Sequence, residues 1–262
     1  MPDSPRTPGP RRALGIRTLR HGPFTATVRP LQHPDNGSIA SLTFAGAHDE
    51  ADSLPADAVV ARWVADIRAM GYAVVRTGAV GPGITARLAA FGFASVQELD
   101  LLSADLGHVP PASSGAARPR RIRMVTRRRQ DAVLAVDRHS FPRGWNMDPA
   151  MFRDARHATA HSALWVSQEG RKTVGFVLAG RAAATGYVQR LAVDASHRRN
   201  GCASALLAVA HSWMRASGCS VAMVNTEPTN GPALGLYRRF GYVALPYRLQ
   251  VLECDLTGTV AA

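Results

Sequence analysis

Residues 191–207, Leu-Ala-Val-Asp-Ala-Ser-His-Arg-Arg-Asn-Gly-Cys-Ala-Ser-Ala-Leu-Leu, constrain the fold more tightly than any other stretch. An apolar strand runs into a short basic loop, then Gly201, then a helix. The helix is legible from Ala203, Leu206, Leu207, Ala210 and Met214, which follow the i, i+3, i+4, i+7, i+11 spacing of one buried face. This strand and helix belong to an alternation of strand and helix patterns in the downstream half, as in an α/β fold. The junction also makes an anion site. The first amides of a helix lack partners within it, and the macrodipole places partial positive charge there. Gly201 and the small Ala203 admit a bulky group to the backbone, and Arg198 and Arg199 add full charges suited to phosphate oxygens.

The alternation continues on both sides. Arg121–Thr126 suits an edge strand, and Asp131–His139 a helix. Asp148 and Pro149 open a second helix as cap and first residue. Ala163–Ser167 and Thr173–Ala179 form a hairpin pattern, followed by a strand at Tyr187–Val193. Ser220–Val224 is a strand, Ala233, Leu236, Tyr237 and Phe240 give a second helical face, and Tyr247–Asp255 is a closing strand. The stretch Val109–Arg120 gathers Pro, Ser, Gly and Arg without apolar periodicity and reads as a linker. The expected domains are therefore a disordered tail at 1–12, an N-terminal domain at 13–108, a linker at 109–120 and a C-terminal domain at 121–256.

The two halves resemble each other. Gly71–Asp100 set beside Ser220–Leu249, an offset of 149, pairs Ala73, Val75, Thr77, Phe91 and Gly92 with Ala222, Val224, Thr226, Phe240 and Gly241. The helix faces correspond as well, Ile84, Leu88 and Phe91 against Ala233, Tyr237 and Phe240. The first half departs where the chemistry would be. Its counterpart to the basic loop is the acidic run His48–Ser53, Gly81-Pro82-Gly83 stands near the position of Asn230, and Leu88 replaces Tyr237. The acidic run would repel an anion.

Charge is concentrated too. The chain has a net charge of +12, of which residues 1–20 and 118–129 supply +11. Two basic segments on a near-neutral body read either as solvated tail and linker or as attraction to a polyanion. No RNA-binding aromatic signature accompanies either segment, and nucleic acid is not the expected partner.

The stretch after the second central strand extends the pattern. R-x-x-G-x-A (Arg198, Gly201, Ala203) followed by N-x-x-A-x-x-L-Y-x-x-F-G-Y (Asn230, Ala233, Leu236, Tyr237, Phe240, Gly241, Tyr242) resembles the GNAT N-acetyltransferase superfamily over residues 121–256. The resemblance implies a mixed, mostly antiparallel sheet flanked by helices, preceded here by a degenerate GNAT-like half domain. It implies acetyl-CoA as co-substrate, entering between two central strands that splay apart, Tyr187–Val193 and Ser220–Asn225. The Leu191-Ala192-Val193 backbone would run along the pantetheine arm. Arg199, Asn200, Gly201, Cys202, Ala203 and Ser204 would present amides to the pyrophosphate beside Arg198, and Asn230 would approach the cofactor arm. Tyr237 would protonate the leaving thiolate, and Glu227, the nearest acid to the second central strand, is the candidate base, with a water chain as its alternative. Phe141, Trp145 and Met147 would wall the acceptor, with Arg143 and Asp148 orienting a charged one; each also has a purely structural reading as loop anchor or helix cap.

The resemblance thus implies an acetyl-CoA-dependent N-acetyltransferase acting on an amine of a small molecule or a protein by direct attack in a ternary complex. The alternatives are a CoA-binding module without catalysis and an Arg-rich nucleic-acid-binding protein. Three unclustered cysteines argue against a zinc module or disulfide framework and fit a reducing cytoplasm. No metal, membrane span or secretory signal is expected. The halves would form a pseudo-dimer within one chain, or the chain would pair as a homodimer.

Overall fold

The computed structural model describes residues 16–31, 39–44, 54–108, 121–125, 129–142 and 144–258. The expected tail at 1–12, the linker at 109–120, the acidic run at 48–53, Arg143 and much of the Arg-rich segment 118–129 lie outside the described residues. No helix among the described residues is long and apolar enough to cross a membrane.

The chain packs into two compact units, 1–96 with 251–262, and 97–250. The first begins with a meander of β1 (Arg17–His21), β2 (Phe24–Leu31) and β3 (Ile39–Phe44). Helix α1 (Asp57–Ala69) then crosses over to β4 (Val74–Val80), which runs parallel to β3 from Ile39↔Val74 to Leu42↔Thr77. Helix α1 buries Val59, Val60, Trp63, Val64 and Ile67, the single face that its apolar spacing predicts. Helix α2 (Pro82–Ala89) starts at Gly81 and buries Ile84 and Leu88.

The second unit starts, in chain order, with most of β5 (Ala94–Asp105). Then come β6 (Arg121–Met124), α3 (Gln130–Ser140), α4 (Pro149–His157), β7 (His161–Glu169), β8 (Lys172–Ala182) and β9 (Thr185–Val193). A 3-10 turn (Ala195–His197) leads into α5 (Cys202–Ala216), β10 (Val221–Thr226), α6 (Gly231–Arg239) and β11 (Val243–Asp255). The order α1-β4-α2-β5 repeats as α5-β10-α6-β11, so the internal similarity is a similarity of architecture. Gly81 at the start of α2 stands in the place of Asn230 at the start of α6.

The two closing strands are divided between the units: β5 lies mostly in the second, and β11 contributes 243–250 to the second and 251–255 to the first. The sheet of the first unit runs β1-β2-β3-β4 and ends on residues 251–255 of β11. Leu252 N–H donates to Thr77 Oγ1 at 3.0 Å, Arg76 pairs with Glu253 at 2.5 Å, and Leu252, Cys254 and Leu256 join that unit's core. In the second unit, residues 97–105 of β5 lie between β10 and residues 243–250 of β11, followed by β9, β8, β7 and β6. Strand β10 pairs antiparallel with β5 from Val221↔Asp105 to Thr226↔Asp100, and Leu102, Ala104 and Leu106 enter the core beside Val224 and Ala222.

The sheet of the second unit is covered on both faces. Helix α5 packs Leu206, Leu207, Ala210 and Met214 into one core, where Val177 and Val188 of the sheet also lie. Its first turn is held close to β8 because Gly175 has no side chain: a Cβ there would stand 3.0 Å from Cys202 Sγ and 3.1 Å from the Ala192 carbonyl. On the other face Val133, Val136 and Phe152 of α3 and α4 pack against Leu164, Phe176, Leu178 and Ala192.

Candidate functional site

The two central strands of the second unit part company midway. The parallel register of β9 and β10 runs only from Val221↔Thr185 to Met223↔Tyr187. Beyond it β10 continues against β5 to Thr226, while β9 continues against β8 to Val193. The β8–β9 register shifts between Leu178↔Arg190 and Ala179↔Val188, leaving Gln189 as the extra residue of a bulge. A bulge bends its strand and re-aims side chains, which accounts for the divergence at this point. Past the bulge, Asp194 N–H donates to the Val174 carbonyl of β8 at 2.9 Å. Backbone groups alternate between the two edges of a strand, so Ala192 turns toward β8 while Leu191 and Val193 turn to the opposite edge. The Val193 carbonyl already accepts from Arg198 Nε at 3.1 Å and Ser140 Oγ at 3.3 Å.

The loop after β9 is knotted by Asp194. Its carboxylate accepts from Ser196 N–H at 3.1 Å and from the Ser196 hydroxyl, and it contacts His197 Nδ1 at 3.3 Å. The bonds from Ser196 and His197 hold its carboxyl down at about 2, so it is ionised at neutral pH. His197 Nε2 reaches Glu169 at 3.0 Å, tying the loop to the β7–β8 hairpin. The chain then passes through Arg199 at φ +59 and Gly201 at φ +73. Gly201 is the N-cap of α5, without a side-chain cap bond and with no acid in the first turn. Arg198, Arg199, Asn200 and Gly201 are exposed, Ala203 and Ser204 half-buried, and Cys202 buried beneath them. Two left-handed positions flanking Asn200 at an uncapped helix start, beside Arg198 and Arg199, form an anion cradle. These features fit the pyrophosphate of a CoA thioester.

Helix α6 carries the candidate acid. Asn230 caps it, its Oδ1 accepting from Ala233 N–H at 3.3 Å. Tyr237 is buried, its ring 5.4 Å from that of Tyr242. Burial pushes the Tyr237 phenol well above its ordinary value, so it holds its proton at neutral pH. Behind it Tyr242 Oη shares a 2.8 Å hydrogen bond with His211 Nε2 of α5. Burial, with Arg215 adding repulsion, drives His211 down to about 4, and the ring is neutral. Its Nδ1 is buried with no hydrogen-bond partner among the described residues. Glu227 lies exposed just past β10 and accepts from Gln97 Nε2 of β5 at 2.6 Å.

The α3–α4 loop is fastened by residues that sequence reading passed over. Asp137 of α3, 1% exposed, pairs with Arg190 of β9 through Nε at 2.8 Å and Nη2 at 3.2 Å. Arg190 also donates to the Trp145 carbonyl at 2.6 Å and stacks over Phe141, its Cζ 3.4 Å from the ring centroid. Asp137 accepts from Met147 N–H at 2.7 Å. Phe141, Trp145 and Met147 are half-buried, and Phe141 and Met147 pack against the α3–α4 core. Asp148 is used as a helix cap, its Oδ1 accepting from Ala150 and Met151 N–H at 2.6 and 2.7 Å. Asp137 and Arg190 stand 53 residues apart, and only Arg190's position as the one charged residue of β9 signals that a partner is required.

A strand that splays from its parallel neighbour, followed by an uncapped Gly-led helix, defines an α/β fold with an anion site at a helix start. Residues 131–242 match the model of the acetyltransferase (GNAT) family. That match lies within the second unit, which is similar to the GNAT family over these residues. The fold of the chain is similar to that of a GCN5-related N-acetyltransferase from Kribbella flavida, 18% identical, with a TM-score of 0.60 over 94% of this chain and 92% of that one. It is similar to a tandem GNAT protein from the clavulanic acid biosynthesis pathway, 11% identical, with a TM-score of 0.62 over 90% of this chain and 80% of that one. A GCN5-related N-acetyltransferase from Sphaerobacter thermophilus is 17% identical, with a TM-score of 0.59 over 91% of this chain and 78% of that one. At these identities the likeness is one of fold. No curated protein matches the sequence.

Proposed function

We propose that the second unit is an acetyl-CoA-dependent N-acetyltransferase, with an amine of a small molecule or a protein as acceptor. The observation that supports this most is the start of α5: a Gly-led first turn with no acid and no side-chain cap, reached directly from the strand that splays from β10. Acetyl-CoA supplies an acetyl carbonyl activated by a thiol leaving group. The amides from Arg199 to Ser204 bind its pyrophosphate, with Arg198 and Arg199 adding charge. The Leu191-Ala192-Val193 edge aligns the pantetheine arm beside Asn230. The acceptor amine attacks in the ternary complex, and its proton passes to Glu227 or to water. Tyr237 gives its proton to the departing sulfur. Phe141, Trp145 and Met147 bound the acceptor, and Asp148 shapes that wall by capping α4.

The first unit has Leu88 in the place of Tyr237 and Gly81 in the place of Asn230, which supports one CoA site per chain and a pseudo-dimeric, non-catalytic role for that unit. The three cysteines are free and buried, which suits a reducing cytoplasm. Calorimetric titration of the full chain should show one acetyl-CoA bound. Gly201→Val, which puts a branched residue at φ +73 and a side chain into the cradle, should weaken binding at least tenfold while the thermal melt stays cooperative. Unchanged affinity, or two sites per chain, overturns the assignment.

A further inference from the structure

A cavity lies in the second unit, outside the residues assigned above. It measures about 620 Å³ and is lined by Gln130 of α3, Arg153, Arg156 and His157 of α4, and Thr159 and His161 at the entry to β7. Among the described residues, two guanidinium groups and two imidazoles border it and no carboxylate does; Asp131 and Asp154 of the same helices do not line it. Arg156 Nη1 is buried with no hydrogen-bond partner among the described residues. A buried guanidinium donor without an acceptor is costly, and an oxyanion is the group that matches its planar fork.

The surroundings are prepared for negative charge. The C-terminal end of a helix carries partial negative charge and would oppose an anion. At α4 that end is quenched: the Arg153 carbonyl accepts from His157 Nδ1 at 2.7 Å and the Arg156 carbonyl from Ser162 Oγ at 2.7 Å. Because a carbonyl only accepts, His157 carries a proton on Nδ1. The cavity also reaches the reaction strand. Thr159 Oγ1 lies 3.4 Å from Nε2 of Gln189, the bulge residue of β9, and Gln189 Oε1 is itself buried without a partner among the described residues. The wall of the cavity is thus in contact with the strand next to Arg190, where the acyl acceptor would stand.

We propose that this cavity holds an oxyanion, a carboxylate or a phosphate, carried by the acyl acceptor, so that the preferred substrate is an amine with an acidic far end. The proposal rests on the acetyl-transfer reading given above. The test uses the full chain saturated with acetyl-CoA. CoA release is measured with paired amines that end in a carboxylate or its amide, and in a phosphate or its alcohol. Wild type should favour one acidic series at least tenfold in kcat/KM, and the favoured series identifies the oxyanion. Arg156→Gln and the exposed Arg153→Gln should each reduce that preference at least fivefold, with acetyl-CoA affinity unchanged. Equal turnover of acidic and neutral partners, or a preference that survives both substitutions, overturns the proposal. A parallel titration with inorganic phosphate separates the two readings. If acetyl-CoA binds but no amine is acetylated, phosphate binding that is lost in both variants retains the anion site while the acetyl-transfer reading falls. Absence of phosphate binding in that case overturns the site as well.

Discussion

Tyr237 does two jobs that single substitutions can separate. Its ring fills the core beside Tyr242, and its phenol keeps a proton that the proposed mechanism delivers to the leaving sulfur. Tyr237→Phe keeps the ring. We expect kcat to fall by roughly 10²–10⁴-fold, the range of general acid catalysis, with acetyl-CoA affinity little changed. Equal kcat values, under conditions where chemistry limits the rate, would eliminate the phenol as the acid. His211 makes a different demand. Its folded value, about 4, lies below the ordinary 6.5, so the unfolded chain takes up a proton that the native ring refuses. Stability from this group is complete above pH 6.5 and is lost as pH falls toward 4. The shift corresponds to roughly 3 kcal/mol between those limits. Urea melts from pH 7.5 to 4.5 should therefore lose stability more steeply in wild type than in His211→Gln. Parallel slopes would show that another group sets the acid sensitivity.

At the scale of elements, the α3–α4 loop depends on one ion pair. Asp137 is almost wholly buried, Arg190 is 18% exposed at its side chain, and between them they fasten the loop at Trp145 and Met147. Removing one charge from a buried pair leaves the other uncompensated, so Asp137→Asn should cost roughly 3 kcal/mol by urea denaturation. The double change Asp137→Asn with Arg190→Gln should cost less than the sum of the two single changes, and strict additivity would show that the pair acts as two independent groups. The elements themselves were largely legible. The face of α5 was spelled out by spacing, and α4 by Asp148 and Pro149. The strand that follows α6 begins at Val243, earlier than the Tyr247 that β-propensity suggests, because Pro246 interrupts the pattern without ending the strand. The bulge at Gln189 left no trace in the pattern, since one extra residue in a half-buried strand looks like ordinary alternation slipping by one.

For the molecule as a whole, the placement of β5 matters most. Residues 97–105 pair with the edge of β10 and bring Leu102 and Ala104 into the core of the second unit. A fragment of residues 121–250 would expose that edge and that apolar surface, a template for aggregation. We expect it to aggregate on purification, and a fragment of residues 97–250 to remain soluble, as read by size-exclusion chromatography. Equal behaviour of the two fragments would remove the structural role assigned to β5.

The sequence alone determined the local grammar: helix faces from the 3.6-residue spacing, the Gly-led anion cradle after β9, the capping residues, and the equivalence of the two halves at an offset of 149. These are properties of neighbouring residues, and short-range sterics and periodicity enforce them. The tertiary structure decided which strand completes which sheet, because β5 and β11 are equivalent in pattern and either could serve either edge. It alone brought Asp137 to Arg190, Gln97 to Glu227, and Arg153, Arg156, His157 and His161 around one cavity. Such pairings are fixed by packing and charge between segments far apart in the chain, and no local pattern records them.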